Sequence, residues 1–172
     1  MPMIKGEIET KLLDHTDVDV FRQIRLEALE REPAAFASSY HDWLGLSENE
    51  WVKRLSHNIV LVAFRQSEPV GIMGLMRQKP SKMAHRASLI MVYVRKEERG
   101  TQVATNLFGM IVRAAAEHGI SQLELSVSVE NPAAFRFYQR MGFEEIGRIP
   151  AGVVHGGEEI DDILMVRRLG RA

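Results

Sequence analysis

The chain has 172 residues, of which 45% are hydrophobic, and its 22 basic residues nearly balance its 23 acidic ones. This length and composition predict one globular domain, residues 1–172, with a packed core. The net charge of −1 argues against a protein that coats nucleic acid or binds membranes through a polybasic surface. The absence of cysteine excludes disulfides, cysteine zinc sites and a cysteine nucleophile. No segment resembles a signal peptide or a membrane span, so a cytoplasmic protein is expected.

Periodicity and capping residues predict the secondary structure. Ser47 with Glu50 three positions later matches a capping box, Asn131 is placed to cap a helix, and Gly119 and Gly142 are placed to end helices. In chain order the predicted elements are a strand at 7–13, a helix at 17–31, an irregular segment at 33–46, a short helix from Ser47 to about Leu55, strands at 59–64, 70–76 and 86–94, a helix at 102–118, a strand at 122–129, a short helix from Asn131 to Gly142, and strands at 143–149 and 159–169 with a glycine-containing loop between them.

This order of elements determines the expected fold class. Neither strict alternation of strands and helices nor their segregation fits the pattern. The sequence therefore predicts an α/β (α+β) domain with a mixed, mostly antiparallel sheet of about seven strands and about four flanking helices. A helical crossover joins the strands at 86–94 and 122–129, so this central pair is expected to be parallel.

In the predicted first helix, the residues that recur at helical spacing are Phe21, Ile24, Arg25, Ala28 and Leu29.

Residues 92–105 are the first candidate site. A strand leads into a glycine-containing turn that opens a helix, and the N–H groups at a helix start bind anions. Arg99 adds a guanidinium fork suited to phosphate. The segment predicts a phosphate or pyrophosphate site near Arg99 to Thr105, with a plain strand-to-helix turn as the alternative. The spacings of a Walker loop and of a dinucleotide fingerprint are both missing.

Residues 131–143 form the second candidate site. Asn131 and Tyr138 are seven positions apart and therefore share one helix face about 10 Å apart along the axis. Asn131 offers an amide, and the hydroxyl of Tyr138 can donate a proton. Simple capping by Asn131 and simple packing of Tyr138 are the alternatives.

Together the two segments resemble the GNAT superfamily of acyl-CoA-dependent N-acyltransferases. Its signature is Arg/Gln-x-x-Gly-x-Gly/Ala after a strand, followed further along the chain by Asn-x-x-Ala-x-x-x-Tyr-x-x-x-Gly-Phe. The matching residues here are Arg99, Gly100, Thr101, Gln102, Val103 and Ala104, then Asn131, Ala134, Tyr138, Gly142 and Phe143. The resemblance extends to the order of elements over essentially the whole chain, and it implies a GNAT-like fold whose central parallel strands splay apart.

The resemblance implies a role for each site residue. The backbone of Val92, Tyr93 and Val94 would pair with the pantetheine arm of acetyl-CoA as an added strand would. The pyrophosphate would lie on amides of the segment formed by Gly100, Thr101, Gln102, Val103, Ala104 and Thr105. Asn131 would hold the pantetheine or the sulfur side, and Tyr138 would protonate the departing thiolate.

This chain departs from the family pattern at two places. Gln102 replaces the glycine nearest the pyrophosphate, where its side chain either points to solvent or crowds the cofactor. Ser88 stands where related proteins often carry a glutamate base. His85, Glu124 or a water chain to a backbone carbonyl are the possible substitutes, and the choice stays open.

Other polar and aromatic residues have two interpretations each. No histidine has metal-ligand spacing, and no metal is expected. The acidic residues Glu158, Glu159, Asp161 and Asp162 suggest a rim that attracts a cationic amine, with a metal site as the less favoured interpretation. The aromatic residues Phe36, Tyr40, Trp43 and Trp51 are either walls of an acceptor pocket or part of the core.

The resemblance implies an N-acetyltransferase that moves acetyl from acetyl-CoA to a primary amine by direct transfer in a ternary complex, with Tyr138 as general acid. The acceptor would be a small-molecule or peptide amine, and a homodimer is possible. The alternative is a non-catalytic acyl-CoA-binding or regulatory domain on the same fold.

Overall fold

The computed structural model describes residues 6–170. Its strands are β1 (Ile8–Leu12), β2 (Ile59–Arg65), β3 (Glu68–Arg77), β4 (Arg86–Val94), β5 (Gln122–Ser128), β6 (Glu144–His155) and β7 (Glu158–Arg168). Its α-helices are α1 (Val18–Arg31), α2 (Tyr40–Leu44), α3 (Glu48–Ser56), α4 (Val103–Glu117) and α5 (Pro132–Arg140). Within residues 6–170, no helix has the length and apolar character needed to cross a membrane.

The strands form one sheet in the order β1-β2-β3-β4-β5-β7-β6. Neighbouring strands are antiparallel except β4 and β5, which run parallel because α4 crosses between them. Four of the helices have nine or more residues, and α2 has five. The structure confirms the expected mixed, mostly antiparallel sheet with one central parallel pair.

Helices cover both faces of the sheet. On one face, α4 and α5 pack against a first core, and on the other, α1, α2 and α3 pack against a second. Strand β2 shows the division, since Leu61 and Ala63 join the first core whereas Val60 and Val62 join the second. Burial of apolar side chains from both faces explains the continuous apolar run in this strand.

A β-bulge interrupts β4. Met91 and Val92 lie opposite a single residue of β3, Met73. Met91 adopts a φ of +55°, a left-handed conformation that residues other than glycine rarely take. The extra residue changes which face the strand presents, because Leu89 packs in the first core whereas Met91 and Tyr93 pack in the second.

Strands β4 and β5 pair over a short distance and then separate. Their register covers residues 86–88 against residues 122–124. Beyond Ser88, β4 stays paired with β3, while β5 stays paired with β7 as far as Ser128. The facing edges of β4 and β5 diverge, which confirms the splayed pair and leaves backbone polar groups there without a neighbouring strand.

The segment at 33–46 is more regular than its sequence indicated. It contains helix α2, whose first turn is closed by a reciprocal capping box between Ser39 and Asp42. Only five residues follow the cap, which is too short for a clear helical period.

The last two strands form a longer hairpin than expected. The predicted loop contains Pro150 and Gly152, yet β6 continues to His155 and the connection shrinks to the turn at residues 156–157. A register shift between Ile149 and Val153 accommodates the two residues within the strand. Both turn glycines have positive φ, which suits a two-residue hairpin turn.

Packing around the bulge can be tested at Gly74. A Cβ at Gly74 would lie 2.8 Å from the Met91 Cε atom and 3.3 Å from the Ile59 carbonyl oxygen. Gly74→Ala must displace the end of Met91 and also crowd Ile90 Cγ1 at 3.2 Å and the Ile59 carbonyl, so we expect it to lower the free energy of unfolding by about 1–2 kcal/mol. Gly109 lies in α4 with nothing near its added Cβ, so Gly109→Ala is expected to raise stability by about 0.5–1 kcal/mol. Urea denaturation of both variants measures the difference, and equal stability would contradict the packing described for the bulge.

Candidate active site

Two cavities flank the point where β4 and β5 separate. The smaller, which we call the groove, has a volume of about 320 Å³ and is bordered by the end of β4, the loop before α4, and α5. The larger, which we call the chamber, has a volume of about 760 Å³ and is bordered by α1, α2, α3, β4, β5 and β7. Both have residues Ala35, Phe36, Val92, Ser126 and Tyr138 in their walls, so the two cavities meet there.

The end of β4 forms one wall of the groove. Val92, Tyr93 and Val94 all line it. The side chain of Tyr93 turns to the opposite face, where its hydroxyl donates a hydrogen bond to Glu27 at 3.0 Å. The groove therefore meets the backbone of this strand rather than the ring of Tyr93.

The loop before α4 forms a second wall. Arg99, Gly100, Thr101 and Ala104 line the groove. Gly100 has a φ of +76°, a conformation in which a side chain would be strained. This turn places the start of α4, with its N–H groups that lack intrahelical partners, beside the groove.

The other residues of the predicted anion site point elsewhere. Gln102 and Thr105 are exposed and do not line the groove, and Val103 is buried in the first core. Gln102 has a φ of −84°, which any residue adopts, so its replacement of glycine introduces no backbone strain. Its side chain projects to solvent rather than into the groove.

Ion pairs fix the loop before α4. Glu98 is 3% exposed and forms two hydrogen bonds with Arg65, at 2.7 and 2.8 Å. Arg99 pairs with Glu32 and donates a 3.3 Å hydrogen bond to the carbonyl of Val94. Arg99 therefore bridges Glu32, which follows α1, and the end of β4 in the wall of the groove.

Helix α5 brings Asn131 and Tyr138 to the groove. The Oδ1 atom of Asn131 accepts a hydrogen bond from the N–H of Ala134 at 3.2 Å, so Asn131 caps the helix as its sequence indicated. Tyr138 is 8% exposed and packs against Phe137 and Phe143. Burial raises the pKa of the Tyr138 phenol well above its usual value, which keeps it protonated at neutral pH.

The candidate bases occupy different positions. Glu124 lines the chamber, where it is paired with Arg86 and accepts a 3.1 Å hydrogen bond from Gln122. The hydrogen bond from Arg86 lowers the pKa of Glu124 despite the opposing effect of burial. Ser88 also lines the chamber, whereas His85 is exposed and lines neither cavity.

The chamber differs from the acidic acceptor site that the sequence suggested. Glu158, Glu159, Asp161 and Asp162 line neither cavity, and Asp161 accepts a hydrogen bond from the N–H of Ala151 at 2.9 Å. The charged residues that line the chamber are Arg25, Arg54, Arg86 and Glu124. The acidic rim was thus a wrong interpretation, because those carboxylates lie on the first half of β7, between the hairpin turn and the pairing with the end of β5, and outside both cavities.

The early aromatic residues divide between the chamber and the core. Phe36 and Trp43 line the chamber, whereas Tyr40 and Trp51 do not. Trp43 and Trp51 are both buried in the second core, where their rings lie 5.3 Å apart. The set is therefore divided: Phe36 and Trp43 belong to the wall of the chamber, and Trp51 belongs to the core alone.

Arg25 and Arg54 are chamber residues that sequence reasoning did not assign to a site. The sequence carried one signal, because Arg25 falls on the apolar face of α1. Arg54 lies on α3 and gave no such signal.

The fold, a mixed seven-stranded sheet with one central parallel pair, is that of GNAT-like acetyltransferases. An acetyltransferase of the GNAT family from Streptococcus pneumoniae superposes with a TM-score of 0.81 at 22% identity, covering 95% of this chain and 100% of that one. A GNAT superfamily phosphinothricin acetyltransferase from Sinorhizobium meliloti, determined in complex with acetyl-CoA, gives 0.79 at 19% identity, covering 95% and 89%.

The chain belongs to the acetyltransferase (GNAT) family, whose model matches residues 20–143. Among curated proteins, it is 30% identical to the mycothiol acetyltransferase of Brachybacterium faecium over 89 residues, which is 52% of this chain and 27% of that protein. It is also 30% identical to an uncharacterised N-acetyltransferase of Methanocaldococcus jannaschii over 98 residues, 56% of this chain and 43% of that protein. The matched regions span less than half of either relative.

The state of the Tyr138 phenol can be tested by spectroscopic titration. The chain has three tyrosines, and Tyr40→Phe leaves Tyr93 and Tyr138. Burial and the hydrogen bond to Glu27 raise the pKa of Tyr93 to about 12, and burial raises that of Tyr138. Folded Tyr40→Phe is therefore expected to show no phenolate absorbance as the pH passes about 10, the usual tyrosine value.

The same shifts make stability depend on pH. Since the folded pKa values exceed the unfolded ones, the free energy of unfolding should fall as the pH rises above about 10. Urea-unfolded protein, in which both phenols titrate normally, is the control. A phenolate signal near pH 10 in the folded variant would contradict the burial described for these two residues.

Proposed function

We propose that the protein is an N-acetyltransferase that transfers acetyl from acetyl-CoA to a primary amine in a ternary complex. One observation carries the proposal: the groove and the chamber meet at Val92, Ser126 and Tyr138. A thioester in the groove and an amine in the chamber would thus meet beside a buried, protonated phenol.

The residues around the groove suit acetyl-CoA. The edge of β4 facing β5 beyond Ser88 has no strand partner, and pantetheine carries two amides that can pair with such an edge. The groove-lining turn at Gly100 and Thr101 and the start of α4 offer N–H groups and a helix dipole to the pyrophosphate. Arg99 adds a cation, and Asn131 lines the groove on the α5 side. When bound, acetyl-CoA supplies the activated acetyl group.

Direct transfer follows from this arrangement. The amine nitrogen attacks the thioester carbonyl carbon, a C–N bond forms, and the C–S bond then breaks. We assign the departing sulfur to Tyr138, whose hydroxyl donates its proton to the thiolate and regains one from the solvent. Because the bulge takes Met91 and Val92 out of the regular ladder with β3, we assign the thioester carbonyl to this segment.

No side chain is assigned as the base. The pKa of Glu124 is lowered by its pairing with Arg86, so this carboxylate is a weak proton acceptor. The attacking amine is therefore taken from the unprotonated fraction in solution, and it loses its second proton through water along the chamber wall at Ser88 and Ser126.

Acetyl-CoA binding by the purified protein is the first test. Isothermal titration calorimetry is expected to give a micromolar dissociation constant. Because Gln102 projects away from the groove, Gln102→Gly should change the affinity by no more than about twofold. Absence of binding would contradict the proposal, and binding that appears only in Gln102→Gly would show a degenerate cofactor site.

The role of Tyr138 is tested by removing its hydroxyl. Tyr138→Phe keeps the ring that packs against Phe137 and Phe143, so the fold and the acetyl-CoA affinity should persist. Loss of the general acid is expected to lower kcat by roughly 100-fold. Tyr40→Phe, which removes a hydroxyl outside both cavities, is the matched control. Release of free CoA thiol in an amine screen measures the rate. Acetyl-CoA binding without transfer to any amine would favour a non-catalytic acyl-CoA-binding domain.

A further inference from the structure

The chamber contains a buried cation for which residues 6–170 supply no counter-ion. Arg25 lines the chamber and is 4% exposed. Its Nε and Nη1 atoms have no hydrogen-bond partner among residues 6–170, and no carboxylate of these residues lies within ion-pair distance of it. A charge in such a position is costly unless a partner neutralises it.

A second arginine, Arg54, which forms no ion pair within residues 6–170, lies close by. Arg54 also lines the chamber, and its guanidinium carbon lies 4.4 Å from the centre of the Trp43 ring, while that of Arg25 lies 4.5 Å from it. Burial, together with the positive charge of Arg54, lowers the pKa of Arg25 to about 10, which still leaves it charged at neutral pH. Two like charges that border one cavity favour the binding of an anion there.

The surrounding polar groups are also donors. The indole Nε1 of Trp43 is buried without a partner among residues 6–170. The one acidic residue in the chamber wall, Glu124, is already paired with Arg86. This part of the chamber thus has unsatisfied donors and excess positive charge, which is the reverse of a site for an ammonium group.

We propose that the amine acceptor also carries an oxyanion, a carboxylate or a phosphonate, which Arg25 and Arg54 bind while the amine reaches the junction at Tyr138. This inference rests on the proposed acetyl transfer and names its substrate class: small amino acids and their analogues. A chamber of about 760 Å³ falls within the usual range for small-molecule sites. Arginine suits the task because its planar fork matches a carboxylate or phosphonate.

The test compares acceptors that differ in the anion alone. The full chain is assayed with acetyl-CoA and the L-amino acids, their carboxamides, their decarboxylated amines and the corresponding aminoalkylphosphonates. At least one acid should exceed its carboxamide in kcat/KM by roughly 10- to 100-fold, the usual effect of hydrogen bonds to a charged group. The phosphonates distinguish the two oxyanions. Thermal unfolding with each compound gives a second readout that needs no turnover, since a bound acid raises Tm.

Arg25→Met removes the charge but keeps a long apolar side chain. We expect it to abolish the preference for the acid in both readouts and to leave Tm without ligand unchanged or higher. Arg22→Met is the matched control, because Arg22 lies on the same helix over Trp51 but outside both cavities, and it should retain the preference. Arg54→Gln, at a partly buried position, is the second test if Arg25→Met does not fold, and it should weaken the same preference.

Several outcomes would overturn the inference. The first is that acids and carboxamides give the same turnover and the same thermal shift. The second is that the preference for the acid persists in both Arg25→Met and Arg54→Gln. A ligand-free Tm that falls in Arg25→Met, with the preference intact, would show that Arg25 acts only by packing against Phe36 and Trp43. Calorimetry distinguishes failure of the proposed acetyl transfer from failure of this inference. If the protein does not bind acetyl-CoA, the proposed function fails, whereas the thermal shifts still report whether the chamber binds the anion.

Discussion

Strands β4 and β5 pair over three residues, and both cavities exist because the two strands then separate. Each strand is held on its outer side, β4 by β3 and β5 by β7, so neither is free to close the gap. The end of β4 is also tied to α1, where Glu27 accepts hydrogen bonds from Arg95 at 2.7 Å and from Tyr93 at 3.0 Å. The bulge at Met91 turns the last residues of the strand toward this contact. An open strand edge is normally a liability, and here it borders a groove of molecular size.

Much of the fold was predictable because its signals are local. Alternation identified β1 and β5, and a continuous apolar run identified β2. Helical spacing identified α1 and α4, and Asn131 marked the start of α5 as its cap. The bulge was not predictable, because the positive φ of Met91 is set by the register with β3 and not by the preference of methionine. The length of β6 was underestimated for a similar reason, since a register shift in the pairing with β7 absorbs Pro150 and Gly152.

The sequence predicted the residues of the groove better than those of the chamber. Most of the groove is built from two continuous segments, residues 92–104 and 131–140, so these residues could be found from their spacing. The chamber is assembled from several helices and strands, and no spacing links Arg25 of α1 to Arg54 of α3 or to Trp43 of α2. The sequence showed a charge on the apolar face of α1, but the absence of a counter-ion is a property of three-dimensional packing. The expected acidic rim was wrong for the same reason, because the sequence does not show where the acidic residues of β7 lie relative to the chamber.

Amide hydrogen exchange with and without acetyl-CoA tests most directly whether the open edge of β4 is the cofactor site. Exchange rates report the protection of individual backbone N–H groups. We expect acetyl-CoA to slow exchange in residues 92–94 and 100–105, with little change in β1 and β2 at the edge of the sheet. Protection confined to other parts of the chain, with residues 92–94 exchanging as fast as in the free protein, would contradict it.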